Sequence, residues 1–345
     1  MIYITKEELK TLSNEEIFKK IKDGKYKFPL KKNFIKKKFD HRNKVKIIEE
    51  NSNFFIPNLD LDLDKYDIFK YRITIPDRFY INDVESDIFQ EEVRIQGKLD
   101  HKKYSLHEVW YKHPEYYKKD LFRLVGFLKK KNKDLDEYQM REMLYGLRLE
   151  CNQFKPSLAY NIYRFYNAKK ILDMSAGWGD RLLGAIANDS DLYVATDPNK
   201  KLFKGYKKMI DTKVPKEKRK NYVMINSGFE TADISKYKGE FDMMLCSPPY
   251  FKFEIYDGKD KNQSVNKFKG LDNWLNLFLI PSLLKAFDHI KKGGIIALHL
   301  TDLKEDKYMY NIIYDLEENG YKLKGIINVY AEKKNIARPI WIFQS

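Results

Sequence analysis

The chain has 345 residues and a formal charge of +15, from 65 Lys and Arg against 50 Asp and Glu. A hydrophobic fraction of 43% and an aromatic fraction of 15% exclude wholesale disorder and are enough for one large domain or two ordinary ones. A surface this basic suits a polyanion, either nucleic acid or an anionic membrane face. The charge is concentrated. Residues 22–46 carry eleven Lys/Arg against Asp23 and Asp40, and residues 200–220 carry ten against Asp211 and Glu217. Lys36, Lys37 and Lys38 in the first run are candidate phosphate contacts; the alternative reading of both runs is a solvated face. Cys151 and Cys246 stand far apart in sequence, so neither a disulfide framework nor a metal site is expected. No apolar run reaches the ~18 residues of a membrane span, and the N-terminus is charged where a signal peptide is apolar. These features imply a soluble, cytoplasmic protein with no membrane partner.

In chain order, the first 30 residues read as helical. Thr5 with Glu8 and Ser13 with Glu16 have capping-box spacing, and Gly24 suits a helix end. The alternation Leu59-Asp60-Leu61-Asp62-Leu63-Asp64 has a strand period but a poor strand former, whereas Tyr71–Ile75 is a better strand. From Ser105 to Phe165 the period is helical, with Leu121, Leu124, Val125, Leu128, Met140, Met143, Leu144 and Leu147 on inner faces. From Ala168 strands and helices alternate. Strands are expected at 170–173, 192–196, 222–226, 241–246, 294–300, 321–329 and 339–343. Helices are expected at 180–187, 200–210, 274–290 and 308–319. This alternation implies an α/β fold with a mostly parallel sheet, the last two strands forming an antiparallel hairpin. Ligands then bind at the carboxyl ends of the strands.

Three motifs fall at such ends. Asp173-Met174-Ser175-Ala176-Gly177-Trp178-Gly179-Asp180 joins a strand to a helix, and its glycines permit a tight turn and a close ligand approach. It lacks the third glycine of a dinucleotide fingerprint and the Lys-Ser/Thr of a phosphate loop. Asp173 would repel a phosphate and suit an ammonium group. Asp197 ends the next strand, where a carboxylate accepts the hydroxyls of a ribose; its plainer role is a turn or helix cap. Ser247-Pro248-Pro249-Tyr250-Phe251 ends the fourth strand. The prolines stop the strand and donate nothing, so this corner offers acceptors beside a flat ring, which suits a planar group bearing an NH2.

Together these residues resemble the S-adenosylmethionine-dependent amino-methyltransferases that include DNA adenine-N6 and cytosine-N4 enzymes. The resemblance covers about residues 150–345. It implies a Rossmann-like seven-stranded sheet with a reversed last strand. It also implies a catalytic domain at 151–345; the segment between Tyr250 and Trp274 is too short for a target-recognition domain, so by elimination residues 1–150, mainly helical, are expected to supply much of the substrate contact. Phe154-Lys155-Pro156-Ser157 looks like the family's motif at the methionine end of the cofactor. On this resemblance Phe154, Pro156, Asp173, Ser175, Gly177, Trp178, Gly179, Asp180, Asp197, Gly228 and Phe229 would bind S-adenosylmethionine. Ser247, Pro248 and Tyr250 would hold the target amine. Phe251, Glu254, Tyr256, Gln263 and Ser264 would contact the substrate.

The implied chemistry is methyl transfer to an exocyclic amine of a nucleic-acid base, DNA ahead of RNA, without a covalent intermediate and without metal. Ser247 departs from the commoner Asp or Asn at this position. Cys246 lies inside a strand and reads as a small buried residue rather than a nucleophile. Two alternatives are methylation of a protein amide, and a non-catalytic methyltransferase-like subunit that binds nucleic acid.

Overall fold

A computed structural model of the chain describes residues 1–33, 42, 45–50, 56–75, 84–258, 260–331 and 334–344. The candidate phosphate contacts Lys36, Lys37 and Lys38 lie outside the described residues. The chain forms two compact units, one of Met1–Lys38, Asp87–Asn152 and Glu254–Asp257, the other of Phe39–Ser86, Gln153–Phe253 and Gly258–Ser345. The chain therefore passes between the units five times rather than at a single boundary near residue 150, because Ile47–Glu49 and Phe69–Ile75 pair with the C-terminal sheet and Glu254–Asp257 belong to the first unit.

The first unit is mainly helical. Both capping boxes form. The Thr5 and Ser13 hydroxyls accept the Glu8 and Glu16 amides at 3.2 and 3.3 Å, and the two glutamates accept the amides of Thr5 and Ser13 at 2.9 and 2.8 Å. They start helices Lys6–Thr11 and Asn14–Asp23. Leu121, Val125, Leu128, Met140 and Leu144 are buried in this unit's core, with Leu124, Met143 and Leu147 packed against it. A buried ionic network lies in the same unit. Arg94 donates to Asp87 at 2.9 Å, to the Cys151 carbonyl at 3.2 Å and to the Tyr145 hydroxyl at 3.0 Å. Arg141 donates to Glu91 at 2.8 Å and to Asp87 at 3.3 Å. Burial, then the neighbouring Asp87, pushes the Glu91 carboxyl up.

The second unit carries a nine-stranded sheet. Its strands are β1 (Ile47–Glu49), β2 (Phe69–Ile75), β3 (Lys170–Asp173), β4 (Leu192–Thr196), β5 (Tyr222–Ile225), β6 (Phe241–Cys246), β7 (Ile290–His299), β8 (Lys322–Ala331) and β9 (Lys334–Gln344). Their order is β1-β2-β8-β9-β7-β6-β3-β4-β5. Strands β3 to β7 are parallel neighbours, and β9 runs antiparallel to both β7 and β8. The expected seven strands with a reversed last one are thus present, extended by two. Strand β2 adds parallel to β8 and β1 antiparallel to β2. Gly325 makes room for this addition, since a Cβ there would meet the Phe69 ring at 2.2 Å.

Helix Pro156–Phe165 packs closely on helix Asp180–Ala187. A Cβ on Gly184 would lie 2.6 Å from that of Ala159, which explains a glycine inside an otherwise apolar helix. The helix expected at 274–290 runs instead from Leu271 to Phe287 and contains a π turn at Leu275–Leu279. Pro281 follows that turn; it has no N–H to continue the α-helical ladder. The core of this unit gathers Leu172, Val194, Met244, Cys246, Trp274, Leu279, Leu283, Leu298, Ile312, Leu316 and Trp341. Among the described residues no helix is long and apolar enough to cross a membrane.

Candidate active site at the strand tips

Parallel register aligns the carboxyl ends of four adjacent strands. Leu172 lies between Val194 and Met244, and Cys246 pairs with Leu298. Asp173, Asp197, Ser247 and His299 therefore end β3, β4, β6 and β7 side by side. The chain order reverses between β3 and β6, the crevice position of an open α/β sheet.

The glycine turn is fixed by backbone and side-chain hydrogen bonds. Gly177 and Gly179 have φ of +55° and +83°, which a side chain disfavours. The Ala176 amide donates to the Thr196 carbonyl at 2.9 Å, and the Thr196 hydroxyl donates to the Met174 carbonyl at 2.8 Å, tying the turn to β4. A Cβ on Gly177 would meet only the Ser175 carbonyl oxygen, at 3.7 Å, so space is open beside the turn. A Cβ on Gly179 would instead meet Met209 at 2.8 Å.

Two buried carboxylates flank this turn. Asp197 accepts the Gly177 amide at 2.9 Å and the Asn199 amide at 2.8 Å, with the Tyr206 hydroxyl at 3.4 Å. Burial nevertheless pushes its carboxyl up to about 6. Asp173 accepts Arg181 Nε at 2.8 Å, the Tyr193 hydroxyl at 2.7 Å and the Ser175 amide at 3.0 Å. Arg181 is held in this corner through Nε and Nη2. Its Nη2 also donates to the Ser175 carbonyl, and its guanidinium lies 5.1 Å from the centre of the Phe154 ring. Burial opposes its charge, but the Asp173 carboxylate more than restores it.

The Ser175 hydroxyl bridges the switch point by donating to the Ser247 carbonyl at 3.1 Å. The glycine turn and the Ser-Pro-Pro-Tyr corner are thus brought together. The Tyr250 hydroxyl donates to the His299 carbonyl at 3.1 Å, and the Phe154 and His299 rings meet edge to face at 5.3 Å. His299 Nε2 is buried and has no hydrogen-bond partner among the described residues. Burial, then Arg338 and Arg181, lowers the His299 imidazole to about 3, so it is neutral at physiological pH. Burial pushes the Cys246 thiol up, away from nucleophilic chemistry.

Most of the remaining candidate residues have packing or hydrogen-bond partners of their own. Pro156 is buried in the first turn of its helix. Trp178 is buried, and Asp180 accepts the Ser86 hydroxyl at 2.6 Å. Gly228 follows β5. Phe229 is a core residue covered by Lys285, which donates to its carbonyl at 2.8 Å. Phe251 is likewise buried, 5.7 Å from the Trp274 ring. Ser264 accepts the Trp274 indole at 3.2 Å, and Gln263 immediately precedes the short helix Ser264–Lys267. Glu254 and Tyr256 belong to the first unit, where Glu254 accepts the Asn152 amide at 2.7 Å and the Tyr256 hydroxyl at 2.8 Å. Among the described residues no cluster of His, Cys, Asp or Glu has the arrangement of a metal site.

Sequence reasoning missed Arg181 and His299. Each had a signal. Arg181 is a charge in the first turn of the apolar helix Asp-Arg-Leu-Leu-Gly-Ala-Ile-Ala, and His299 ends the apolar strand Ile-Ile-Ala-Leu-His.

No protein-family model matches the chain. The Type II methyltransferase M.AccI of Acinetobacter calcoaceticus is 27% identical over 101 residues, which is 25% of this chain and 19% of that protein. The match thus spans well under two thirds of the relative. Among solved structures, TrmN from Thermus thermophilus has 13% identity, with 61% of this chain and 66% of that chain covered and a TM-score of 0.39. The 1,6-didemethyltoxoflavin-N1-methyltransferase of Burkholderia thailandensis, solved with S-adenosylhomocysteine, has 10% identity, covers 55% and 76%, and scores 0.38. The chain is therefore a Rossmann-like α/β protein with a reversed strand in its sheet, similar over a quarter of its length to a Type II methyltransferase.

Proposed function

We propose that this protein is an S-adenosylmethionine-dependent amino-methyltransferase. Its target is the exocyclic amine of a nucleic-acid base, adenine N6 or cytosine N4, in DNA ahead of RNA. The observation that carries the reading is the convergence of Asp173, Asp197 and Ser247 at neighbouring strand tips, linked by the Ser175 to Ser247 hydrogen bond. The similarity to M.AccI and the net charge of +15 support it.

When bound, the cofactor supplies an electrophilic methyl carbon on a sulfonium. Asp173 would hold its ammonium group. Gly177 and Gly179 let the backbone approach it without side chains, and Asp197 accepts ribose hydroxyls. An exocyclic base amine is a poor nucleophile, because its lone pair is delocalised into the ring. The Ser247 hydroxyl and the Pro248 carbonyl accept its two hydrogens, which favours pyramidal nitrogen and aims the lone pair at the methyl carbon. The positive charge that develops on nitrogen is stabilised by the same acceptors. In a duplex the base leaves the stack, and Tyr250 offers a new stacking surface. The hydrogen bond to the His299 carbonyl fixes that ring in advance.

The test is incubation with methyl-labelled S-adenosylmethionine and, in parallel, DNA, RNA and a protein extract, followed by digestion to nucleosides or amino acids. Label in N6-methyladenine or N4-methylcytosine is expected. Label in a protein amide alone, or in no product, would remove the reading.

A further inference from the structure

The guanidinium of Arg181 is held at the centre of the candidate cofactor site by more than one residue can explain. It is 4% exposed and sits in the first turn of helix Asp180–Ala187. Nε donates to Asp173 at 2.8 Å, and Nη2 donates to the Ser175 carbonyl and lies 3.5 Å from its hydroxyl. The Phe154 ring covers one side, at 5.1 Å. An arginine has five N–H donors in a planar fork. Three of them are accounted for here. The two on Nη1 have no hydrogen-bond acceptor among the described residues, although the side chain is buried. Nη1 is not sealed inside the protein, so these donors are open to a ligand. A carboxylate oxygen accepts from Nη1 in a charge-assisted contact, and the helix N-terminus adds positive potential at the same point.

We infer that Arg181 receives the carboxylate of the cofactor's methionine portion. Asp173 and Arg181 then form a preassembled charge pair that reads the amino-acid zwitterion, the aspartate taking the ammonium and the arginine the carboxylate. Asp173 retains capacity for this, since its three observed bonds leave one of about four lone-pair positions unused. The inference rests on the proposed cofactor and adds a residue that none of the sequence motifs contained. It also explains why a buried ion pair, which desolvation makes expensive, occupies a strand tip rather than a hydrophobic contact.

Calorimetric titration of the full chain tests it, with three probes. These are S-adenosylhomocysteine, its decarboxylated analogue, which keeps the amine, and 5′-methylthioadenosine, which has neither group. Wild type is expected to bind S-adenosylhomocysteine about tenfold to a hundredfold more tightly than the decarboxylated analogue, as for a charge-assisted hydrogen bond. Arg181→Gln is expected to reduce that ratio to within threefold while still preferring the decarboxylated analogue to 5′-methylthioadenosine. A wild-type ratio near one overturns the inference, whether or not the variant folds. So does a folded Arg181→Gln, or a folded Arg181→Lys, that keeps the full ratio, because Arg181 would then only hold Asp173 in place. Wild type that binds none of the three probes refutes the cofactor assignment itself, a result distinct from equal binding of two of them.

Discussion

Asp197 offers a sign-specific test of the site's electrostatics. Two opposing influences act on it. Burial favours the neutral acid, whereas the amides of Asn199 and Gly177 and the Tyr206 hydroxyl favour the carboxylate; Asp173 opposes ionisation. Burial wins, and the carboxyl titrates near 6 against an ordinary value of 3.8. A group whose pKa is raised on folding binds a proton more tightly in the folded state. Its contribution to stability is therefore complete below the unfolded pKa and is lost as pH rises through the folded one. The shift corresponds to about 3 kcal/mol, of which about 2 kcal/mol falls between pH 4.5 and 7.5. Asp197→Asn cannot ionise. It also disturbs the bond from the Gly177 amide, a pH-independent cost of about 1–3 kcal/mol. Urea unfolding of both proteins across pH 4.5–7.5 should then show the variant gaining about 2 kcal/mol relative to wild type as pH rises. A flat difference would mean that the hydrogen bonds to Asp197 balance burial, and one of opposite sign that they outweigh it; either contradicts the reasoning. The same titration has a functional counterpart: if the ionised acid accepts ribose hydroxyls, S-adenosylhomocysteine affinity should rise through pH 6 in wild type and stay level in Asp197→Asn.

Other consequences are open to measurement. Ser247→Ala should lower turnover about tenfold to a hundredfold and leave S-adenosylhomocysteine affinity within twofold, because the hydroxyl acts on the amine; an equal loss in affinity would contradict this division. Gly179→Ala should cost about 1–2 kcal/mol of stability, from a φ of +83° and a Cβ 2.8 Å from Met209; thermal unfolding unchanged from wild type would show that the turn relaxes. Arg94→Leu should destabilise the first unit by about 3–5 kcal/mol, because Asp87 is left buried without its closest partner. A loss below about 1 kcal/mol in urea unfolding would show that Arg141 alone compensates Asp87.

Much of this architecture is readable in the chain because its signals are local. The strands at Lys170–Asp173, Leu192–Thr196 and Phe241–Cys246 have the expected bounds, since each is a short apolar run closed by a turn or a proline. Both capping boxes are fixed by residues three apart. Non-local events were less visible. Nothing in Ile47–Glu49 or Phe69–Ile75 announces that they extend the sheet, because an added edge strand is recruited through backbone pairing and the space left by Gly325. The π turn before Pro281 shifted a helix by three residues at each end. At the site, the motif residues that end strands were legible, as strand ends are. Arg181 was not, because its contact with Asp173 appears only when the helix after the turn folds its first residues back onto β3. Phe229 and Phe251 show the converse: aromatic rings beside a motif that fill the core.

The most direct measurement is a crystal structure with S-adenosylhomocysteine bound. The account predicts the homocysteine amino-acid end beside Asp173 and Arg181, the ribose at Asp197, and the sulfur facing Ser247 and Tyr250. Ligand density in another cavity, or side chains filling the space between the glycine turn and Ser247, would contradict it.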